Sequence, residues 1–184
     1  MSKRNIIYGL LIILAVCVYY YFSPTQTQQM PSTLDISQSP TYQSQAMVTT
    51  IYDPAGEVIY KITAQQVSHF ADNGDTYFVQ PDLTLYNQNK TLSWNIQAKE
   101  ARLSKARVLY LNGEVKLINL VPNDQLERIT TESAEVNLIT QTVKSDDQVT
   151  IDGVGFYSTG QKLTGNLKTK TAKLLENVKT FYNN

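Results

Sequence analysis

The sequence predicts an all-β fold: a twisted, open β-jelly-roll or sandwich of stacked strands, carried behind one N-terminal transmembrane helix. Three observations predict it. Apolar residues alternate with period two, as in Leu109-Tyr-Leu111-Asn-Gly-Glu-Val115-Lys-Leu117 and Val149-Thr-Ile151. The 184 residues include 20 Thr, 15 Gln, 13 Asn and 12 Tyr, an uncharged polar bias with many aromatics that suits half-buried strands. Long helical periodicity is absent after residue 23, whereas the residues before it form one apolar run.

That run, Ile6 to Phe22, holds 17 uncharged residues. As a helix it spans about 26 Å, close to a hydrocarbon core of about 30 Å. Lys3 and Arg4 precede it, so the N-terminus is expected in the cytoplasm and the rest on the far side of the membrane. Tyr19-Tyr20-Tyr21-Phe22 closes it with rings suited to the membrane interface. Residues 1–22 are therefore read as a single-pass anchor. A cleaved signal peptide fits less well, because the apolar run is long and ends in bulky aromatics. Leu14-Ala15-Val16-Cys17 resembles a lipidation signal, but Val16 is large and the apolar run continues past Cys17. Cys17 is read as a small apolar residue within the anchor.

Residues 23–41 contain Pro24, Pro31 and Pro40, no Gly and one charge, Asp35, and read as an extended spacer. The folded domain is expected over 42–184, 143 residues, long enough to bury a core. Without Lys3 and Arg4 the exported part keeps 14 basic residues against 16 acidic, a charge of −2, and has no cysteine. A thiol-free domain suits an oxidising compartment such as a periplasm.

Val48 to Tyr52 is a β-branched and Thr-rich strand, Asp53-Pro54-Ala55-Gly56 a turn, and Glu57 to Ala64 the returning strand of a hairpin. A weak repeat follows. An aliphatic residue two before a small one recurs at Ile62/Ala64, Ile96/Ala98, Ile129/Thr131 and Leu167/Thr169, the small positions lying 34, 33 and 38 apart. Between these come short aliphatic pairs after a breaker: Pro81 before Leu83 and Leu85, Gly113 before Val115 and Leu117, Asp147 before Val149 and Ile151. Each unit has one apolar face that it cannot bury alone, so units are expected to stack on a shared core. The breakers mark bends where strands pass between two sheets, and the small residues allow close approach at these corners. Residues 169–179 have near-helical spacing at Ala172, Leu175 and Val178, but the repeat favours a strand. The two ends of such a stack are sheet edges, open to strand addition.

Composition excludes much. One His (His69) and one Cys rule out a Cys₂His₂ or Cys₄ metal site and an internal disulfide, and no cofactor motif is found. No phosphate loop is present. Balanced charge argues against nucleic acid. The carboxylate pairs Asp146-Asp147 and Asp72/Asp75 read as solvated turns rather than a sugar-cleaving pair, Glu132/Glu135 has no sugar cleft around it, and His69 reads as a surface residue at a strand end. No catalytic residue is assigned.

The order of features resembles the LptC family of lipopolysaccharide export proteins. The resemblance rests on Pro40-Thr41-Tyr42, Asp53-Pro54-Ala55-Gly56, Leu109-Tyr-Leu111-Asn-Gly113, Leu120-Val-Pro122-Asn-Asp-Gln-Leu126, Arg128-Ile-Thr-Thr131, Asn137-Leu-Ile-Thr-Gln141 and Gly165-Asn-Leu167, and it covers essentially the whole chain. It implies a twisted β-jelly-roll in the periplasm on an inner-membrane anchor. It implies an anchor and N-terminal edge that meet the LptB–LptF–LptG ABC transporter, and a C-terminal edge that meets LptA. It further implies an apolar interior that receives the acyl chains of lipopolysaccharide.

The residues agree with such a role. Alternation places Leu83, Leu85, Leu109, Leu111, Val115, Leu117, Val136, Leu138, Val149 and Ile151 on interior faces, with Met47 and Phe78 toward the open side. Phe78 shares their face only if Pro81 introduces a bulge. Tyr42, at the start of the domain, and Gly56, closing the first hairpin, fall beside the N-terminal edge; Gly153 lies near the implied partner contact. Both glycines are expected where a turn needs positive φ. Ala172, Leu174, Val178 and Tyr182 form the expected partner edge, with Lys173, Glu176 and Lys179 on the other face. The rival reading is an assembly protein that pairs edge strands and never carries lipid.

Overall fold

A computed structural model describes residues 40–182. The expected anchor (1–22) and the spacer as far as residue 39 lie outside the described residues. The strands are β1 (Tyr42–Tyr52), β2 (Val58–Phe70), β3 (Asp75–Val79), β4 (Asp82–Tyr86), β5 (Leu92–Gln97), β6 (Glu100–Leu103), β7 (Val108–Asn119), β8 (Leu126–Asn137), β9 (Thr142–Gly153), β10 (Phe156–Asn166) and β11 (Thr171–Tyr182). Every pairing is antiparallel. The first hairpin forms as expected. Asp53 Oδ1 accepts the Ala55 N–H at 2.9 Å and the Glu57 N–H at 2.8 Å, an Asx-type turn that Gly56 closes at φ +83°.

The eleven strands form one sheet folded on itself into two layers. Strand β2 pairs with β4 through Tyr60–Thr63 and with β3 through Gln66–Phe70. Strand β7 pairs with β6 through Leu109–Asn112 and with β5 through Lys116–Asn119. Long strands thus pass from one layer to the other, while β3/β4 and β5/β6 are strands interrupted at the crossing. The crossing line is a spine. Along it the backbone turns positive in φ at Ala46, Gln80, Gly113, Glu114, Lys162 and Asn177. These bulges let a continuous strand change layer without losing its ladder on either side.

The expected bends fall on this spine. Pro81 follows Gln80 between β3 and β4, Gly113 sits mid-β7 at φ +79°, and Asp147 lies in β9 where the β8–β9 register shifts. The β8–β9 crossing is tied by side chains. Thr131 Oγ1 and Ser145 Oγ are 2.9 Å apart, and Ser133 Oγ donates to Asp147 Oδ2 at 2.5 Å. Asp146-Asp147 is therefore strand rather than the turn expected. Ala64, Ala98 and Thr131 occupy the crossing as the repeat anticipated, but its fourth member does not. Leu167–Lys170 form the β10–β11 turn, where Thr169 N–H bonds Asn166 Oδ1 at 3.0 Å. The Asn-initiated turn wins there over the strand pattern.

Candidate functional site

Alternation sends one face of every strand into the space between the layers, where a single apolar cluster runs from β2 to β10. Of the interior residues expected from sequence, all but Met47 are buried, from Leu83, Leu85, Val115, Leu117, Val136 and Val149 at 0 % exposure to Ile151 at 6 %. Met47 is half-buried and packs against the cluster. Phe78 joins it at 5 % because the Gln80–Pro81 break resets the alternation. The protein's own side chains pack this cluster, and no buried polar side-chain atom among the described residues lacks a hydrogen bond.

Sequence reasoning passed over several of the most buried residues. Trp94, Ile96 and Val143 are fully buried, and Tyr60, Ile62, Val67, Ile129, Leu163 and Leu167 are nearly so. Ile62, Ile96, Ile129 and Leu167 already carried the repeat. Trp94 lies two residues before Ile96, on the same face, and that parity was the available signal.

The layers end in free edges. Among the described residues β1 pairs only with β2, and β11 only with β10. Tyr42, 44 % exposed, opens β1 opposite His69. Ala172, Leu174 and Val178 of β11 line a cavity of about 580 Å³ together with Leu126, Ile151 and Phe156. Tyr182, opposite Phe156 and 77 % exposed, ends the strand. On the outer face Phe181 stacks on Tyr157 at 4.7 Å. Gly56 has open space around it, and positive φ is its requirement. Gly153 differs from expectation: its φ is not positive, and a Cβ there would overlap the Phe156 ring and the Gln125 carbonyl oxygen. Glycine is needed at 153 for close approach, not for a turn.

Opposite the spine lies the mouth, where turns of the two layers face each other. Arg107 donates to Tyr60 Oη at 3.0 Å, Trp94 Nε1 donates to the Leu167 carbonyl at 2.8 Å, and Lys170 Nζ pairs with Asp124 Oδ2 at 2.5 Å. Hydrogen bonding from Lys170 holds the Asp124 carboxyl below its usual range. On the spine, Glu114 and Lys99 pair at 2.7 Å, lowering the pKa of the one and raising that of the other. The exposed Glu114–Lys99 pair steers chemistry little. Among the described residues no three His, Cys, Asp or Glu side chains gather as a metal site. Nor is any helix there long and apolar enough to cross a membrane.

The family model described as "Lipopolysaccharide-assembly, LptC-related" matches residues 8–183. The chain is 38 % identical over 182 residues to the lipopolysaccharide export system protein LptC of Escherichia coli K12, covering 99 % of this chain and 95 % of that protein.

The chain belongs to the LptC family.

The Haemophilus influenzae LptC is 37 % identical over 197 residues, covering 98 % of this chain and 94 % of its own. In structure, the chain resembles LptH of Pseudomonas aeruginosa, the LptA-homologous periplasmic component of a lipopolysaccharide transport device. The TM-score is 0.57 at 10 % identity, over 68 % of this chain and 95 % of LptH. At that identity the likeness speaks for the fold alone. It agrees with the jelly-roll expected for an LptC-family chain, with all-antiparallel strands in two layers that share one apolar interior.

Proposed function

We propose that this chain is the inner-membrane-anchored periplasmic component of lipopolysaccharide export. In this reading residues 1–22 cross the membrane once with the N-terminus in the cytoplasm, and 23–41 hold the domain 42–184 off the bilayer. The domain accepts lipopolysaccharide acyl chains from the LptB–LptF–LptG ABC transporter between its two layers. It passes them through its β11 edge to LptA, toward the outer membrane. The anchor and the β1 edge, with Tyr42 and Gly56 beside it, face the transporter; Gly153, Ala172, Leu174, Val178 and Tyr182 face LptA.

One observation carries the reading: membership of the LptC family over residues 8–183, which takes in the apolar N-terminal run from residue 8 onward. The interior supports it chemically. Met47, Phe78, Leu83, Leu85, Leu109, Leu111, Val115, Leu117, Val136, Leu138, Val149 and Ile151 form or pack on one apolar cluster. Free edges at β1 and β11 support hand-over by strand addition. Catalysis is not required of such a module, since the transporter would supply the energy. A photo-crosslinking residue at Phe78 or Leu111 should capture lipopolysaccharide during ATP-driven transport. Adducts at no interior position would end the proposal.

The filled interior favours a second reading, in which the domain recruits partners by edge pairing and carries no lipid. Under it, polar substitutions inside the cluster that preserve folding leave export intact, and only disruption of Ala172–Tyr182 abolishes it.

A further inference from the structure

The two long sides of the jelly-roll are joined in different ways. At the spine, β2, β7, β8, β9, β10 and β11 run unbroken from layer to layer. At the mouth, no strand crosses. One lip consists of the β6–β7, β8–β9 and β10–β11 turns, and these are chained by backbone hydrogen bonds. Leu138 N–H bonds the Arg107 carbonyl at 2.9 Å, and Leu167 N–H bonds the Gln141 carbonyl at 2.8 Å. The other lip is chained likewise: Leu120 N–H bonds the Ser93 carbonyl at 2.9 Å and Val154 N–H the Gln125 carbonyl at 3.0 Å.

Each lip is thus one backbone-bonded unit. The polar contacts between the lips are made by side chains. Arg107 reaches Tyr60, Trp94 reaches Leu167 and Lys170 reaches Asp124. These contacts are spread along the mouth, because Tyr60 belongs to β2, Trp94 to β5, and Asp124 to the β7–β8 loop. Inside, Leu83, Leu85, Trp94 and Ile96 are fully buried, so an acyl chain finds no room among them while the mouth is shut. Close-packed interiors make room by moving whole elements rather than by stretching.

We propose that the mouth is a latched lateral gate: the Arg107–Tyr60, Trp94–Leu167 and Lys170–Asp124 contacts hold the lips together, and they part as a unit about the spine to admit a lipid chain. The inference rests on the carriage reading above and adds to it the route of entry and the residues that control it. Opening breaks three polar contacts and uncovers part of the apolar cluster between the layers, and it leaves the ladders at the spine and within each lip intact. A guest entering by an end would have to displace the packed core rung by rung beyond the C-terminal cavity.

The test is a bridge across the mouth that leaves all three latch contacts in place. In the full chain, Cys17→Ser removes the native thiol, and Gln125→Cys with Thr169→Cys places one thiol on each lip beside the C-terminal cavity they both line. The pair is joined by a short reducible bifunctional reagent, or by a long flexible one, with a photo-crosslinking residue at Leu111 and the ATP-driven transporter present. The short bridge should abolish lipopolysaccharide capture at Leu111, and the long bridge or reduction should restore it; capture through the long bridge shows that the two modified thiols do not themselves disrupt the fold. Capture through the short bridge at the unbridged level overturns the gate and leaves lipid carriage standing. No capture even without a bridge overturns lipid carriage, and the gate with it.

Discussion

Trp94→Phe measures how firmly the mouth is sealed. Trp94 is fully buried in β5, and its indole N–H donates to the Leu167 carbonyl 73 residues away, in the β10–β11 turn. Leu167 is itself 2 % exposed, so water does not replace the lost donor. Leaving that buried carbonyl unpaired costs about 1–3 kcal/mol. Phe also lacks the five-membered ring, and a deletion of that size in a close-packed site costs on the order of 1 kcal/mol more. The total of about 2–4 kcal/mol is a large share of the 5–15 kcal/mol that typically holds a domain together, so the variant should fold but with visible loss. Because Trp94 is the sole tryptophan, urea unfolding is followed by far-UV circular dichroism rather than by fluorescence. The midpoint should fall with little change in slope, and amide exchange at Leu167 and Lys170 should rise more than at Val115 in the spine. A loss under about 1 kcal/mol would refute the reasoning, because it would mean the Leu167 carbonyl finds another partner and the mouth is already wet.

The other predictions concern strain, space, charge and the free edge. Gly113→Ala places a Cβ at φ +79° only 2.9 Å from the Lys99 side chain, and should lower stability by more than the roughly 1–2 kcal/mol that left-handed backbone costs an ordinary residue. Gly56→Ala, at φ +83° with open space around it, should cost no more than that strain, as thermal unfolding of the two variants will show. Gly153→Ala should be worse than Gly56→Ala although its φ is ordinary, because its Cβ overlaps the Phe156 ring and the Gln125 carbonyl. Asp124 has its carboxyl pKa lowered, first by the Lys170 hydrogen bond, so its contribution is present above the ordinary carboxylate pKa and is lost as pH falls through the lowered value. Amide exchange in residues 167–170 should therefore quicken on acidification in the parent chain, and Asp124→Asn should remove most of that pH dependence. Under the proposed hand-over to LptA, Val178→Arg, at a side chain 51 % exposed on the β11 edge, should weaken LptA binding in a pull-down while leaving the unfolding midpoint nearly unchanged.

Much of the architecture was legible because strand alternation is local. The parity of Leu109, Leu111, Val115 and Leu117 is unbroken through the spine, since Gly113 and Glu114 bend β7 at positive φ while buried and exposed positions keep alternating. The bends at Pro81 and Gly113 could be read because each residue restricts or frees the backbone in its own right. Thr169 was misplaced because its repeat pattern is shared by a strand and by the turn that Asn166 initiates, and only the Asn166 side-chain bond decides between them. The reason for Gly153 was hidden for a different cause. What it must avoid, the Phe156 ring and Gln125 carbonyl, is set by packing between elements rather than by its own turn. The latch was equally out of reach, since Tyr60 and Arg107 lie 47 residues apart and Trp94 and Leu167 lie 73 apart, with no periodicity linking them.

The distribution of polarity inside the jelly-roll bears on how a guest would move through it. The buried polar residues are Ser93, Thr131, Ser145 and Ser158. Thr131 and Ser145 bond each other at the spine, and Ser158 bonds Thr180 at the β11 end at 2.8 Å. The Thr131, Ser145 and Ser158 hydroxyls already have their partners, so these three are not left to anchor a ligand at a fixed register. Burial of an acyl chain is non-directional, at about 25 cal/mol per Å² of apolar surface. It would be worth nearly the same against Leu83 and Leu85, against Val115 and Leu117, or against Val149 and Ile151, because the repeat sets equivalent aliphatic pairs at each rung. A guest held this way gains affinity from the whole interior without a deep well at any one position. Under the carriage reading, that uniformity lets a chain advance from rung to rung. An interior Ser or Asn without a partner of its own should slow transfer by holding the lipid, even where it leaves the fold intact.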